Sequence, residues 1–384
     1  MKLTCVSIYD AQDLTAFGGR CYYKLRAIGE LADEMQFVGP LRDGIIAPIL
    51  RVKRQYYRRV AHKSYFPFRD SMLIRYYSKQ IMYKLATIDT DVILSPVSPG
   101  SQPIAFVECK QPIVIWTDAT FAGTLELYHK HESVCAESIR DGFRNERAAL
   151  GRAKVLIYYT QWAAESAIRT YDIDQAKVAV IPPGAWLENS PNFKEAVELV
   201  AARPSDHCRL LFIGLGWWRK GGDVALEVAK RLNANGLRTE LTVVGCHRQE
   251  LPESLPDFVR VVEYINRATK EGSEQFTALL RNSHFLLVPS RFEAMGLVFC
   301  EACAFATPCL ATHVGGVPDI VKNEMNGKTF TLNADVEEYC QFVQELMGNN
   351  KKYKELAFSA FNEYQTRLNT KTAANNVIKL LQEL

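Results

Sequence analysis

No run of apolar residues in this 384-residue chain reaches the ~18–20 that a membrane-crossing helix needs, which excludes a helical span within it. The first ten residues read as a β-strand rather than a secretion signal. The ten cysteines are scattered through apolar surroundings, as in Thr4-Cys5-Val6. That excludes a disulfide framework and fits a reducing cytoplasm. Cys300-x-x-Cys303 has no second Cys/His pair nearby to complete a zinc site, so it reads as two small buried hydrophobes. Asp89-Thr90-Asp91 has the spacing of a carboxylate metal clamp but begins an apolar strand, so no required divalent ion is expected. No internal repeat and no nucleic-acid recognition motif is present, and no nucleic-acid partner is expected.

What is there is ordinary globular composition, 48% hydrophobic and 23% charged, in a length that suits two domains. Its rhythm is strand, loop, helix, the unit of a doubly wound α/β sheet whose ligands bind at the carboxyl ends of the strands. Residues 3–9 form the first strand and lead to Phe17-Gly18-Gly19, with a helix over 21–31. Residues 91–95 are a short buried strand followed by a loop over 96–103. The strand at 112–116 ends in Thr117-Asp118-Ala119-Thr120-Phe121. Asp118 at that polar tip is a candidate for orienting a hydroxyl, or an N-cap for the helix that follows. Residues 187–207 are polar, with a short helix over 193–201. They divide an N-terminal domain (1–190) from a linker (191–207), a C-terminal domain (208–365) and a terminal helix (366–384). The second domain opens with a strand at 210–214 and a glycine-rich loop through Trp217-Trp218-Arg219-Lys220-Gly221, where both tryptophans read as packing. A lysine beside flexible glycine backbone suits a diphosphate.

Residues 288–319 organise the rest. A buried strand over 284–289 ends in Pro and Ser, and a helix is expected from about Met295 to before Pro308, with Gly296 in its first turn. Free N–H groups at a helix start accept an anion, and glycine removes the Cβ that would stand in the way. Glu293 and Glu301 bracket this point, roughly 12 Å apart along the helix axis. Carboxylates accept hydrogen bonds from paired hydroxyls, so the stretch reads as a site for a nucleotide-sugar. The same spacing argues against the nucleophile-and-acid pair of a retaining glycosidase, which sits about 5 Å apart.

Glu293-x7-Glu301, with Gly296 inside it and Thr307-Pro308-Cys309-Leu310-Ala311-Thr312-x-Val314-Gly315-Gly316-Val317-Pro318-Asp319 after it, resembles the donor-site signature of family-four glycosyltransferases. These are retaining enzymes of the GT-B fold. The resemblance implies two Rossmann-like, doubly wound domains facing across a cleft, with a C-terminal helix crossing back. It implies transfer of a hexose from a nucleoside-diphosphate sugar, as co-substrate, to a glycan or lipid-linked acceptor. Lys220-Gly221 matches the family's phosphate-contacting lysine. The family's usual arginine is Leu215 here, with Arg219 as the substitute. Gly18 and Gly19 match the loop that meets the diphosphate and the acceptor. Thr117 to Phe121 matches a subset of the family at a position where other members have a histidine touching the donor sugar, which brings in Asp118. Gly184-Ala185-Trp186 departs from the usual Gly-x-Asn or Gly-x-Asp. By this resemblance Asp118, Lys220 and Glu293 are the catalytic candidates. Glu293 holds sugar hydroxyls, Glu301 the ribose diol, and Lys220 with the backbone of Gly296, Leu297 and Val298 the departing diphosphate. The base is expected near residues 245–246 and 264–265. Two other readings stay open: a GT-B nucleotide-sugar epimerase, and a non-catalytic nucleotide-sugar-binding protein.

Residues 51–84 carry ten Lys/Arg against the single acid Asp70, interleaved with eight aromatics, in a chain whose net charge is only +3. Either a helix pair covers the sheet with its Arg and Lys stems, or the segment meets an anionic membrane surface from the cytoplasmic side.

Overall fold

The computed structural model describes residues 1–19, 21–96, 102–129 and 131–384; residues 97–101 of the loop expected at 96–103 lie outside that description. The chain divides into two units, Met1–Pro183 with Ala373–Leu384, and Gly184–Thr372. Each is an α/β unit built on a parallel sheet.

In the first unit β1 (Lys2–Val6), β2 (Glu34–Val38), β3 (Val92–Ser95), β4 (Ile113–Thr117), β5 (Val155–Tyr158) and β6 (Val178–Val180) lie in the order β2-β1-β3-β4-β5-β6. All pairs are parallel, with Thr4 beside Ile93 and Leu94 beside Val114. The central strands β3 and β4 are buried along their whole length, as expected for a sheet with helices on both faces. Those helices are α1 (Tyr22–Gly29), α2 (Ala47–Arg59), α3 (Ser71–Leu85), α4 (Phe121–Tyr128), α5 (Ala136–Arg152) and α6 (Gln161–Tyr171). α3 buries Leu73, Ile74, Tyr77 and Ile81, so the second half of the basic stretch is a core-facing helix. α4 is capped by Thr120, whose side chain accepts the Gly123 N–H at 3.0 Å. Asp118 is therefore not the N-cap.

The second unit begins at Gly184, ahead of the stretch read as a linker (191–207), which falls wholly within it. α7 (Phe193–Ala202) is closed at its start by a capping box between Asn192 and Glu195 and packs within this unit. There follow β7 (Cys208–Ile213), α8 (Trp217–Lys220), α9 (Gly222–Ala234), β8 (Thr239–Val244), β9 (Val259–Val262), α10 (Lys270–Asn282) and β10 (Phe285–Val288). Then come α11 (Leu297–Cys303), β11 (Cys309–Thr312), α12 (Val317–Ile320), β12 (Gly327–Phe330), α13 (Val336–Met347), α14 (Asn350–Glu363) and α15 (Thr370–Leu381). α15 starts in the second unit, and its residues from Ala373 on belong to the first. The strand order is β12-β11-β10-β7-β8-β9. The chain thus winds outward from β7 through β8 and β9, then returns to lay β10 on the other side of β7. That reversal is the switch point at which open α/β sheets leave a crevice beyond the strand ends.

All ten cysteines are free, nine of them buried and Cys109 exposed. Buried Arg203 donates to the Phe305 and Ala306 carbonyls at 2.7 Å and to Thr307 Oγ1 at 2.9 Å. It thereby satisfies carbonyls just beyond the C-terminal end of α11.

Candidate functional site

β7 and β10 are neighbours, and the loops leaving their carboxyl ends carry Lys220 and Glu293. Beyond β7 the chain turns through Gly214, Leu215 and Gly216 into α8, a single helical turn whose last residue is Lys220. The glycines at both ends made this segment read as loop. Lys220 Nζ donates to Glu293 Oε2, and Arg219 NH1 stands 3.9 Å from the same oxygen. Arg219 also braces the loop, donating to the Leu215 carbonyl at 2.9 Å and the Phe292 carbonyl at 3.3 Å. Burial alone would raise the Glu293 carboxyl. Lys220, Arg219 and the Met295 N–H outweigh burial and hold it below the usual carboxylate range. An ammonium has three donors. Glu293 takes one, which leaves two for a further anion.

Two residues absent from the sequence reading set this geometry. Arg291 makes a two-pronged pair with Asp223, both bonds at 2.8 Å, and donates to the Trp218 carbonyl at 2.6 Å. Its backbone N–H donates to the Arg219 carbonyl at 2.8 Å. The loop after β10 is thereby tied to α8 and the start of α9. Trp217 is buried against Phe212, as expected. Trp218 is not: it is exposed, with the Arg291 guanidinium 4.7 Å from its ring centre.

Gly296 is the N-cap of α11 rather than a residue of its first turn, with φ 79°. A side chain there would be strained in the left-handed region and would collide with the Phe299 ring. No side chain caps this end, so the first N–H groups, at Leu297 and Val298, have no partner within the helix. Both residues are half-buried. α11 has only seven residues, so what it offers an anion is local N–H groups, not a long dipole. Gly315, with φ 52°, lies against the Glu293 carbonyl, where an added Cβ would collide with the oxygen.

Glu293 lies before the helix, so a separation counted along the helix axis does not apply to the pair of glutamates. Glu301 is inside α11, 2% exposed, and paired with Arg267 at 2.7 Å. The same Arg267 nitrogen donates to the Trp186 carbonyl at 2.6 Å, while Glu301 accepts the Trp186 N–H. Burial raises the Glu301 carboxyl despite the pull of Arg267. The backbone at Trp186 thus takes both partners of this pair, a role independent of the side chains by which Gly184-Ala185-Trp186 departs from the usual pattern. Gly245 and Cys246 follow β8, and Tyr264, largely exposed, follows β9.

Gly18, Gly19 and Asp118 belong to the first unit. Gly18 and Gly19 end a 3-10 turn, Ala16–Gly19, beyond β1. Asp118 is half-buried just past β4 and accepts from Thr117 Oγ1 at 3.3 Å. Arg69 feels its charge and stands 3.7 Å from buried Glu146, which also accepts from the Tyr171 hydroxyl and the Phe121 N–H.

Residues 207–349 match the family described as glycosyl transferases group 1. The chain is 25% identical over 207 residues to D-inositol 3-phosphate glycosyltransferase of Mycolicibacterium smegmatis, covering 53% of this chain and 47% of that protein. It is 31% identical over 194 residues to the Saccharomonospora viridis protein of the same name, covering 47% and 45%. The chain thus spans about half the length of the curated relatives it matches. In fold it is similar to a sucrose-phosphate synthase from Thermosynechococcus elongatus (TM-score 0.69, 18% identity, 100% of this chain and 98% of that one). It is also similar to WaaG, a glycosyltransferase involved in lipopolysaccharide biosynthesis (TM-score 0.64, 17% identity, 99% of both chains).

Proposed function

We propose that the chain is a family-four glycosyltransferase of the GT-B fold, moving a hexose from a nucleoside-diphosphate sugar to a hydroxyl of a glycan or lipid-linked acceptor. The observation that carries this reading is the pairing of Lys220 with Glu293 at the β7/β10 switch point, beside the uncapped start of α11. In the proposed step the bond from the anomeric carbon to the diphosphate oxygen breaks. The acceptor oxygen bonds to that carbon on the same face, and its proton passes to the departing phosphate, so configuration is retained. Negative charge grows on the diphosphate, and preorganised donors aimed at growing charge are the strongest lever an active site has. Lys220, Arg219 and the N–H groups of Leu297 and Val298 supply them. Glu293, held anionic, accepts sugar hydroxyls and fixes the donor's attitude. Glu301 accepts from the ribose. Gly18, Gly19 and Asp118, in the first unit, keep in this reading the roles that the family resemblance gives them. Because cationic side chains meet the diphosphate, turnover in this reading needs no divalent ion, and chelation with EDTA should leave the rate unchanged.

The test is a thermal-shift screen against UDP-, GDP- and ADP-sugars, followed by detection of released nucleotide for the donor that stabilises the protein. A donor that binds and is slowly hydrolysed without acceptor supports transfer. An epimerised donor, or binding without any turnover, replaces it with one of the other two readings. For the true donor, Glu301→Ala should raise KM by about tenfold or more and change kcat much less, because a ribose contact is made equally in ground and transition states. Arg267, left behind, is one-third exposed and can be solvated, so the variant should fold. An unchanged KM would remove the ribose assignment.

A further inference from the structure

α2 is held to the first unit by one side only. Ile46 and Leu50 are buried, Lys53 pairs inward with Asp70 at 2.7 Å and Glu137 at 2.8 Å, and Tyr57 donates to Glu137 at 3.1 Å. Five large apolar residues of this helix and its flanks face solvent instead: Ile45 (77% exposed), Ile49 (42%), Val52 (69%), Tyr56 (54%) and Val60 (65%). Their spacing is not random. At about 100° per residue, Ile49, Val52, Tyr56 and Val60 fall within an arc of about 80°, and Ile45 continues the ridge one turn earlier. Single exposed hydrophobes need no explanation, but five in register make a patch. On the other side of the same outer face Arg51, Arg54 and Arg58 form a second ridge, with exposed Arg59 between the two. No acid occurs from residue 44 to residue 69. Folding has no use for the outer ridge, since the core already has α2's inner face.

We propose that α2 docks this protein on an anionic lipid bilayer, the apolar ridge entering the headgroup boundary while the arginines meet lipid phosphates. The charge pattern selects this occupant. An apolar ridge alone suits a protein partner or a second copy, and a basic ridge alone suits any polyanion. The two side by side on a helix lying along a surface are the pattern of interfacial helices. Among the described residues no helix is long and apolar enough to cross a membrane, so the attachment is to one leaflet. It goes beyond the transfer reading and does not depend on it.

The experiment is co-sedimentation of the full chain with vesicles of phosphatidylcholine alone or mixed equally with phosphatidylglycerol. The chain should pellet with the mixed vesicles and not the neutral ones, and binding should weaken steeply as salt shortens the screening length. Val52→Glu with Tyr56→Glu should lower binding by about tenfold or more, as should Arg51→Ser, Arg54→Ser and Arg58→Ser together, because each set removes one of the two attractions. All five side chains are exposed, so the melting temperature should hold. Equal binding to neutral vesicles, or binding indifferent to either variant, overturns the proposal. So does a dimer in vesicle-free buffer that the Val52→Glu/Tyr56→Glu variant dissociates, which would assign the ridge to a second copy. Retention on single-stranded oligonucleotide that outcompetes the vesicles would overturn it as well.

Discussion

Lys220→Ala should lower kcat by about 10²–10³ while the donor KM moves far less, as expected when a donor to growing transition-state charge is removed. The variant also leaves Glu293 buried without its closest cation. Breaking a buried pair from one side costs about 3–5 kcal/mol, and Arg219 at 3.9 Å reduces that figure here. Stability and chemistry therefore have to be separated. Adding Glu293→Gln removes the orphaned charge, so the double variant should regain much of the lost stability but none of the turnover. If kcat returned with stability, Lys220 would be a structural partner only. The pH dependence has a definite sign. Glu293 is held below its ordinary range, so its contribution to stability is full above that range and fades as pH falls through the native value. In Lys220→Ala that fading should begin at higher pH, which acid-unfolding curves of the two proteins would show.

Gly315→Ala is expected to be nearly as damaging, although Gly315 need not touch a substrate. Its φ of 52° costs a residue with a Cβ about 1–2 kcal/mol, and that Cβ would press on the Glu293 carbonyl. Relief requires moving the backbone that carries Glu293. A shift of about 1 Å in a catalytic group lowers rates by about 10²-fold. The expected result is a melting temperature several degrees lower together with a fall of about that size in kcat/KM. Gly151→Ala is the matched control. It lies within α5 with open space where the Cβ would go, so it should be neutral or stabilising by about 0.5–1 kcal/mol with activity unchanged. A Gly315→Ala variant as active as the control would show that the loop gives way without carrying Glu293 along.

These two residues were legible in the sequence for different reasons. Lys220 stands in a glycine-flanked segment after an apolar strand, and Gly315 in a Gly-Gly-x-Pro-Asp turn; punctuation of that kind is local. The helix start two residues late at Leu297 is the usual blur of a boundary, but the N-cap role of Gly296 depends on a backbone dihedral that no residue pattern states. Most of α5 went unread because its inner face is polar. Asp141 accepts the Ser71 N–H, Asn145 donates to the Arg69 carbonyl and Glu146 faces Arg69, so the apolar period is broken where the helix is most buried. The partner of Glu301 was invisible for a related reason. Arg267 lies 34 residues away in a loop, and only the fold of the second unit brings it to α11. The basic stretch split in two: α3 is sheet cover as one reading held, while α2 keeps its outer face in solvent.

The thiol distribution has a practical corollary. With nine cysteines inaccessible and Cys109 alone at the surface, a maleimide dye should attach to the native chain at one position, in the first unit, without engineering. Burial raises the Cys109 thiol somewhat, so coupling should be slow at neutral pH and quicken in mild base. A single-label reporter of this kind would follow vesicle binding through the slowed tumbling of the labelled chain, and mass spectrometry showing one adduct per chain would verify the stoichiometry.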